Sequence, residues 1–207
     1  DYVLLYLGLP EEYESEGLDR THMHIPGNQI RLLEEIEKVN PNTVVVFSGG
    51  SAVEMPWLSH CRALLWAGLG GQGAAAAVLK ILSGEENPGG KLTETFPVAY
   101  EDLPVSRYYP GAEKTSEYRE NLFVGYRYTE TAQAPVTFPF GFGLSYTTFA
   151  YANLKADARK VTFDITNTGE RDGDEVAQVY VAMPGSEVLR PVRELKGFQR
   201  VSLKAGE

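Results

Sequence analysis

The sequence predicts an α/β three-layer sandwich, a mostly parallel sheet with flanking helices, followed by an incomplete β-sandwich. Three observations carry this reading. Residues 1–104 alternate short apolar runs with helical stripes, the pattern of a parallel sheet covered by helices. From residue 149 onward the hydrophobic period changes to two. Between them, residues 105–148 lose regularity and concentrate Tyr, Phe, Gly and Pro, which predicts an ordered connection packed over another surface.

Taken in order, Tyr2–Leu7 reads as a buried strand ended by Gly8 and Pro10, and a polar loop runs from Glu11 to Ile25. Pro26 suits the first turn of a helix whose stripe is Ile30, Leu33, Ile36 and Glu37/Val39, ending near Asn40-Pro41. Thr43–Phe47 is β-branched and halts at Ser48-Gly-Gly50, as a buried parallel strand does. Ala63–Ala67 is the next strand, and Gln72–Leu82 an Ala-rich helix closed by Gly84. In the last stretch Val161, Phe163 and Ile165 alternate with polar neighbours, Asn167-Thr-Gly169 turns the chain, and Ala177, Val179 and Val181 alternate again before a strand over Gly197–Leu203. Residues 149–207 number 59, short of the roughly 100 that such sandwiches use. The chain opens on a strand at Asp1 and stops just after another at Glu207, so it reads as an excerpt of a longer polypeptide and carries no information on compartment.

Composition removes several classes of function. Nineteen basic residues against 28 acidic ones give a net charge of −9, which argues against nucleic acid or an anionic membrane as the main partner. The apolar 63–82 region holds four glycines, Gln72 and Lys80, a poor membrane span. A single cysteine, Cys61, excludes an internal disulfide or a multi-cysteine metal site. His22 and His24 have no third ligand of matching character nearby, so no metal is expected. Gly68-Leu-Gly-Gly-Gln-Gly73 matches G-x-G-x-x-G between a strand and a helix. Its helix is not followed by a second strand ending in an acidic residue, so tight strand–helix packing accounts for it better than a dinucleotide. Cys61 beside His60 reads as a small buried apolar group rather than a nucleophile.

The loop Glu11-Glu-Tyr-Glu-Ser-Glu-Gly-Leu-Asp-Arg20 follows a strand end, where open α/β sheets place ligands. A carboxylic acid that donates a proton near neutral pH needs its pKa raised by burial or by like charges. A glutamate set among other carboxylates and closed over by a partner domain meets that need; a solvated acidic loop is the plainer alternative.

Several motifs, in order along essentially the whole chain, resemble glycoside hydrolase family 3, the β-glucosidase group. Glu14-Ser-Glu-Gly-Leu-Asp-Arg20 with Met23-His-Ile-Pro26 is similar to the family's acid/base loop. Asn87-Pro-Gly-Gly-Lys-Leu92 with Thr95-Phe-Pro97, Tyr118–Tyr128, and Phe138-Pro-Phe-Gly-Phe-Gly-Leu-Ser-Tyr-Thr147 resemble three further signatures. Thr166–Gly169, Val176–Tyr180 and Arg190–Phe198 resemble its C-terminal fibronectin type III-like domain. The departures are Gly89, where Ser is common, and Thr93, where Pro is common.

The resemblance implies a larger enzyme built of a (β/α)-barrel, an α/β sandwich and a β-sandwich, with residues 1–104 as the C-terminal part of the α/β sandwich domain, 105–148 as an aromatic-rich ordered linker and 149–207 as a partial fibronectin type III-like domain. It implies that Glu16 is the general acid/base of a retaining β-glycosidase, with Glu14 its rival two residues away. Asp19 and Arg20 then structure the loop and line the substrate site. No cofactor is implied. The partners are a β-linked oligosaccharide or aryl glycoside, and a barrel domain of the same protein that carries the nucleophilic aspartate and most contacts to the sugar. Without that barrel the chain is expected to be inactive. A noncatalytic carbohydrate-binding or structural module is the alternative.

Overall fold

The computed structural model describes residues 1–111 and 114–207; Ala112 and Glu113, two positions of the expected 105–148 connection, lie outside the described residues. Contacts divide the chain into two compact units, Asp1–Val78 with Glu94–Phe140, and Leu79–Thr93 with Gly141–Glu207.

In the first unit, β1 (Val3–Gly8), β2 (Thr43–Ser48) and β3 (Ala63–Trp66) form a parallel sheet in that order. The register runs from Val3↔Thr43 through Gly8↔Ser48 and from Val44↔Ala63 through Phe47↔Trp66. β2 is central, and Val45, Val46 and Phe47 are buried in succession on both of its faces, as its unbroken apolar run requires. β1 departs from the buried strand expected of it. Tyr2, Leu4 and Tyr6 are exposed, because β1 is an edge strand with only its alternate side chains turned to the core. Helix α1 (Gly27–Val39) seals Leu33 completely. Pro26 sits one residue before the helix, at the N-cap with φ −56°, rather than inside the first turn. Helix α2 (Ala74–Ser83) follows a 3-10 turn at Gly71–Gly73, so it begins two residues later than the sequence pattern suggests.

The aromatic stretch contains structure that its sequence does not announce. Helix α3 (Tyr126–Ala132) buries Tyr126 and Thr129, and β5 (Val136–Phe138) pairs antiparallel with β4 (Phe96–Pro97). Seven and three residues are too short to show a period, and the apolar positions of α3 are spelled by Tyr and Thr. The rings have a place in the core. Trp57 stacks on Phe47, Phe47 on Trp66 at 5.1 Å, Trp66 meets Phe96 edge-on at 4.9 Å, and Phe96 meets Phe138. This file of rings ties β2 and β3 to the β4–β5 pair, with offset and T-shaped geometries that add to plain burial.

The second unit holds two antiparallel pairs, β6 (Phe149–Ala156) with β7 (Val161–Asn167), and β8 (Gly173–Val181) with β9 (Glu194–Leu203). Its interior is organised by polar groups. Asn167, fully buried, accepts from Thr147 Oγ1 at 2.6 Å and Gly169 N–H, and donates to the Arg171 and Leu203 carbonyls. Asn87 accepts from Ser145 Oγ and the Tyr146 N–H and donates to the Asp172 carbonyl. Gly89 approaches the Asp174 carbonyl so closely that a Cβ would lie 2.8 Å from it, which accounts for glycine where the related motif often has serine. Lys91 pairs with Glu175 at 3.1 Å, their side chains only 15% and 12% exposed. Lys91 also donates to the Gly143 carbonyl, and Tyr151 Oη donates to Glu175. Among the described residues no helix is long and apolar enough to cross a membrane.

Removing one partner of a largely buried ion pair strands the other charge, which costs about 3–5 kcal/mol. Lys91→Met is therefore expected to lower unfolding free energy by ~3 kcal/mol in denaturant titration. A pH dependence also follows. Asp172 is held below its ordinary pKa of 3.8 by its hydrogen bond from Lys204 and by the Ala205 N–H; Asp174 is held below it by Ser202 and Arg200. A depressed folded-state pKa stabilises above the unfolded value and loses that contribution as pH falls through the folded one. The double variant Asp172→Asn/Asp174→Asn should melt below the parent at pH 6, and the gap should close as pH drops beneath 3.8.

Candidate active site

The carboxyl ends of β1 and β2 lie side by side, and the loops leaving them meet there. Leu9 N–H continues the ladder to the Ser48 carbonyl, and Gln29 of α1 fastens the end of β1 by exchanging two hydrogen bonds with Gly8. From this edge the acidic loop turns at once, with the Tyr13 and Glu14 N–H groups both reaching the Pro10 carbonyl. Ser15 and Leu18 then form an isolated antiparallel bridge. Glu16 and Gly17 are therefore the two residues at the tip of a tight turn.

Both legs of that turn are fastened to the segment leaving β2. On the upstream leg, both carboxylate oxygens of Glu14 accept from the Gly50 N–H, at 2.8 and 3.0 Å. A Cβ on Gly50 would lie 2.7 Å from Glu14 Oε1 and 2.9 Å from Leu69, so only glycine lets the carboxylate reach the amide. On the downstream leg, Arg20 Nη1 donates to Ser51 Oγ at 2.9 Å. Between turn and arginine, Asp19 accepts from Tyr109 Oη at 2.7 Å. Glu16 itself is exposed, as is Asp19, whereas Glu14 and Arg20 are half-buried.

The electrostatics are uneven. Arg20 Nε and Nη2 are buried with no hydrogen-bond partner among the described residues, so the guanidinium charge is only partly matched. Half-buried Glu94 feels it. Burial pushes the Glu94 carboxyl up, against the pull of the Ala52 backbone and of Arg20, and the Glu14 charge adds to the rise.

The end of the loop is clamped by a buried acid. Glu54, 8% exposed, accepts from the Tyr100 N–H and pairs with His24 Nδ1 at 3.1 Å, while its own N–H donates to the Met23 carbonyl. His22 and His24 stack on each other, with His22 Nδ1 accepting from the His24 N–H. No group of three metal-ligating side chains occurs among the described residues. His60 turns to Glu37 at 2.6 Å and the Cys61 thiol to the Leu58 carbonyl, so these neighbours serve different partners. The glycine run 68–73 forms the turn into α2, and Ser48 Oγ donates to the Gly68 carbonyl.

The four acidic-loop residues Glu14, Glu16, Asp19 and Arg20 thus lie on one short turn and its two legs. Gly50, Ser51, Glu54, Glu94 and Tyr109 were not singled out. Ser48-Gly-Gly50 was visible only as a strand stop, and Tyr109 only as one of many aromatics.

Comparison with known proteins gives the family. Residues 1–146 match the glycosyl hydrolase family 3 C-terminal domain, and residues 175–207 match the fibronectin type III-like domain. The chain is 47% identical to thermostable β-glucosidase B of Acetivibrio thermocellus, with all of this chain aligned to 28% of that protein. It is 43% identical to an exo-α-(1→6)-L-arabinopyranosidase of Bifidobacterium longum, again over 28% of its length. Among solved structures, a family 3 β-glucosidase of Bifidobacterium adolescentis superposes with a TM-score of 0.96 at 45% identity, over all of this chain and 32% of that one. The β-glucosidase of Kluyveromyces marxianus in complex with glucose gives 0.92 at 42%, over 99% of this chain and 25% of that one. The chain therefore spans about a quarter to a third of the relatives that it matches. By fold, motif order and family match, this chain belongs to glycoside hydrolase family 3, with residues 1–146 matching its C-terminal domain and residues 175–207 a fibronectin type III-like domain.

Proposed function

We propose that this chain supplies the general acid/base of a retaining β-glycosidase, a β-glucosidase in the first instance, and that Glu16 is that residue. The observation that carries the reading is the division of labour between two glutamates. Glu14 commits both oxygens to the Gly50 amide, while Glu16 stands uncommitted at the tip of a turn pinned on both sides.

A retaining glycosidase needs two carboxyl groups about 5–5.5 Å apart, one attacking the anomeric carbon and one protonating the departing oxygen. The second group must later take a proton from water as the glycosyl-enzyme is hydrolysed. A residue held on a fixed turn at a domain edge is suited to that shuttle. Its partner carboxylate, and the surface that withdraws it from water, belong in this proposal to a barrel domain on the same longer polypeptide. The relatives named for a β-glucosidase and for an arabinopyranosidase fit this division, since a proton donor to the leaving group does not by itself select the sugar.

General acid assistance is worth about 10²–10⁴-fold. In the complete polypeptide, Glu16→Gln should lower kcat/KM by about that factor for aryl β-glucosides with poor leaving groups and spare kcat/KM for activated ones, whose kcat falls because the glycosyl-enzyme loses its base. Glu14→Gln, which keeps an oxygen to accept from the Gly50 N–H, should cost far less. An unchanged pH–rate profile and leaving-group dependence in Glu16→Gln would favour a noncatalytic carbohydrate-binding or structural module. The 207-residue chain alone should show no turnover of an aryl β-glucoside, and measurable turnover would contradict the two-domain mechanism.

A further inference from the structure

We propose that Tyr109 is a positioning residue for Glu16, acting through Asp19; the inference rests on the reading of Glu16 as the acid/base. Upstream of the turn, Glu14 is fixed to backbone. Downstream, the first fixed point after the Ser15–Leu18 bridge is the Asp19 carboxylate, and its hydrogen bond comes from the Tyr109 hydroxyl, 90 residues away in the chain. The next fixed point is Arg20 on Ser51. The downstream strut nearest to Glu16 is thus supplied by the aromatic segment.

That segment is itself fastened. Tyr100 N–H donates to buried Glu54, the Ala99 N–H donates to Asp102, and successive turns bond Leu103 to Tyr100, Ser106 to Leu103, and Tyr108 and Tyr109 to Val105. Glu54 also holds His24 and Met23 at the far end of the acidic loop. The two ends of one mechanical circuit therefore share a single buried carboxylate: Glu54 to Tyr100, through the turns to Tyr109, across to Asp19, along the loop to His24 and back to Glu54. Asp19 pushes the Tyr109 phenol above its ordinary pKa, so the hydroxyl keeps its proton and remains a donor where a glycosidase works. Without this strut the turn keeps its upstream fastening and gains freedom on the other side. A misplaced general acid loses rate most where protonation matters most.

The test uses the complete polypeptide and four forms: parent, Tyr109→Phe, Glu16→Ala and the double variant. Tyr109→Phe removes one oxygen, so its thermal midpoint should stay near the parent's. Its kcat/KM for an aryl glycoside with a poor leaving group should fall about tenfold, with less than about a twofold change for a dinitrophenyl glycoside. In the Glu16→Ala background the same substitution should cost nothing further. Equal losses on both substrates, or an undiminished loss in the Glu16→Ala background, would overturn the positioning role while leaving Glu16 as the acid. If Glu16→Ala shows no leaving-group dependence, the acid/base reading itself falls, and the two failures stay distinct. Should Tyr109→Phe melt early, both substrates are assayed well below its midpoint, where the same substrate dependence must hold.

Discussion

The hydrogen bonds from the Gly50 amide to the Glu14 carboxylate are the constraint on which the site depends. They convert a solvent-facing run of acidic residues into a turn with a fixed origin, because a charge-assisted bond ties it to the backbone two residues past the end of β2. β2 is the most buried strand of the sheet, and Phe47 near its end is packed between Trp57 and Trp66. The rigidity of the core is thereby passed to the loop through one amide. Bonds of this kind are worth about 1.5–3 kcal/mol, enough to select one loop conformation among several. In the proposed reading the two glutamates do different work, Glu14 held at both oxygens by the Gly50 amide and Glu16 left at the tip of the turn.

The second unit uses a different economy of interactions. Its two strand pairs bury few large side chains, and its connectivity depends on three polar hubs, Asn87, Lys91 with Glu175, and Asn167. Buried polar groups are tolerated when every donor and acceptor is matched, and Asn167 meets that condition with four bonds. The related motifs around Asn87-Pro-Gly-Gly-Lys-Leu92 and Thr166-Asn-Thr-Gly169 thus have structural rather than chemical reasons in this chain.

Much of this was legible from residue patterns. The β-branched run of β2, the stripe of α1 and the alternation in β7 each declare their element because burial on one face or both leaves a period. The acidic loop was legible as a candidate because it follows a strand end and concentrates carboxylates. What the pattern hid has a common cause. α3 and β5 are too short for a period to register, the exposure of Leu4 and Tyr6 depends on which strand lies at the sheet edge, and Tyr109 contacts Asp19 across 90 positions. Contacts made by topology alone leave no local trace. The Gly50 contact that sets Glu14 apart from Glu16 was hidden for the same reason, since it turns on where Gly50 lies in space.

The central claim is that Glu16 shuttles the proton, and chemical rescue tests it most directly. In the complete polypeptide, Glu16→Ala should accumulate a glycosyl-enzyme from an activated aryl β-glucoside, and azide should restore turnover by attacking the anomeric carbon from the face the carboxylate vacates. The account predicts a β-glucosyl azide product and a rate that rises with azide concentration. No rescue, with free glucose as the sole product at every azide concentration, would contradict it.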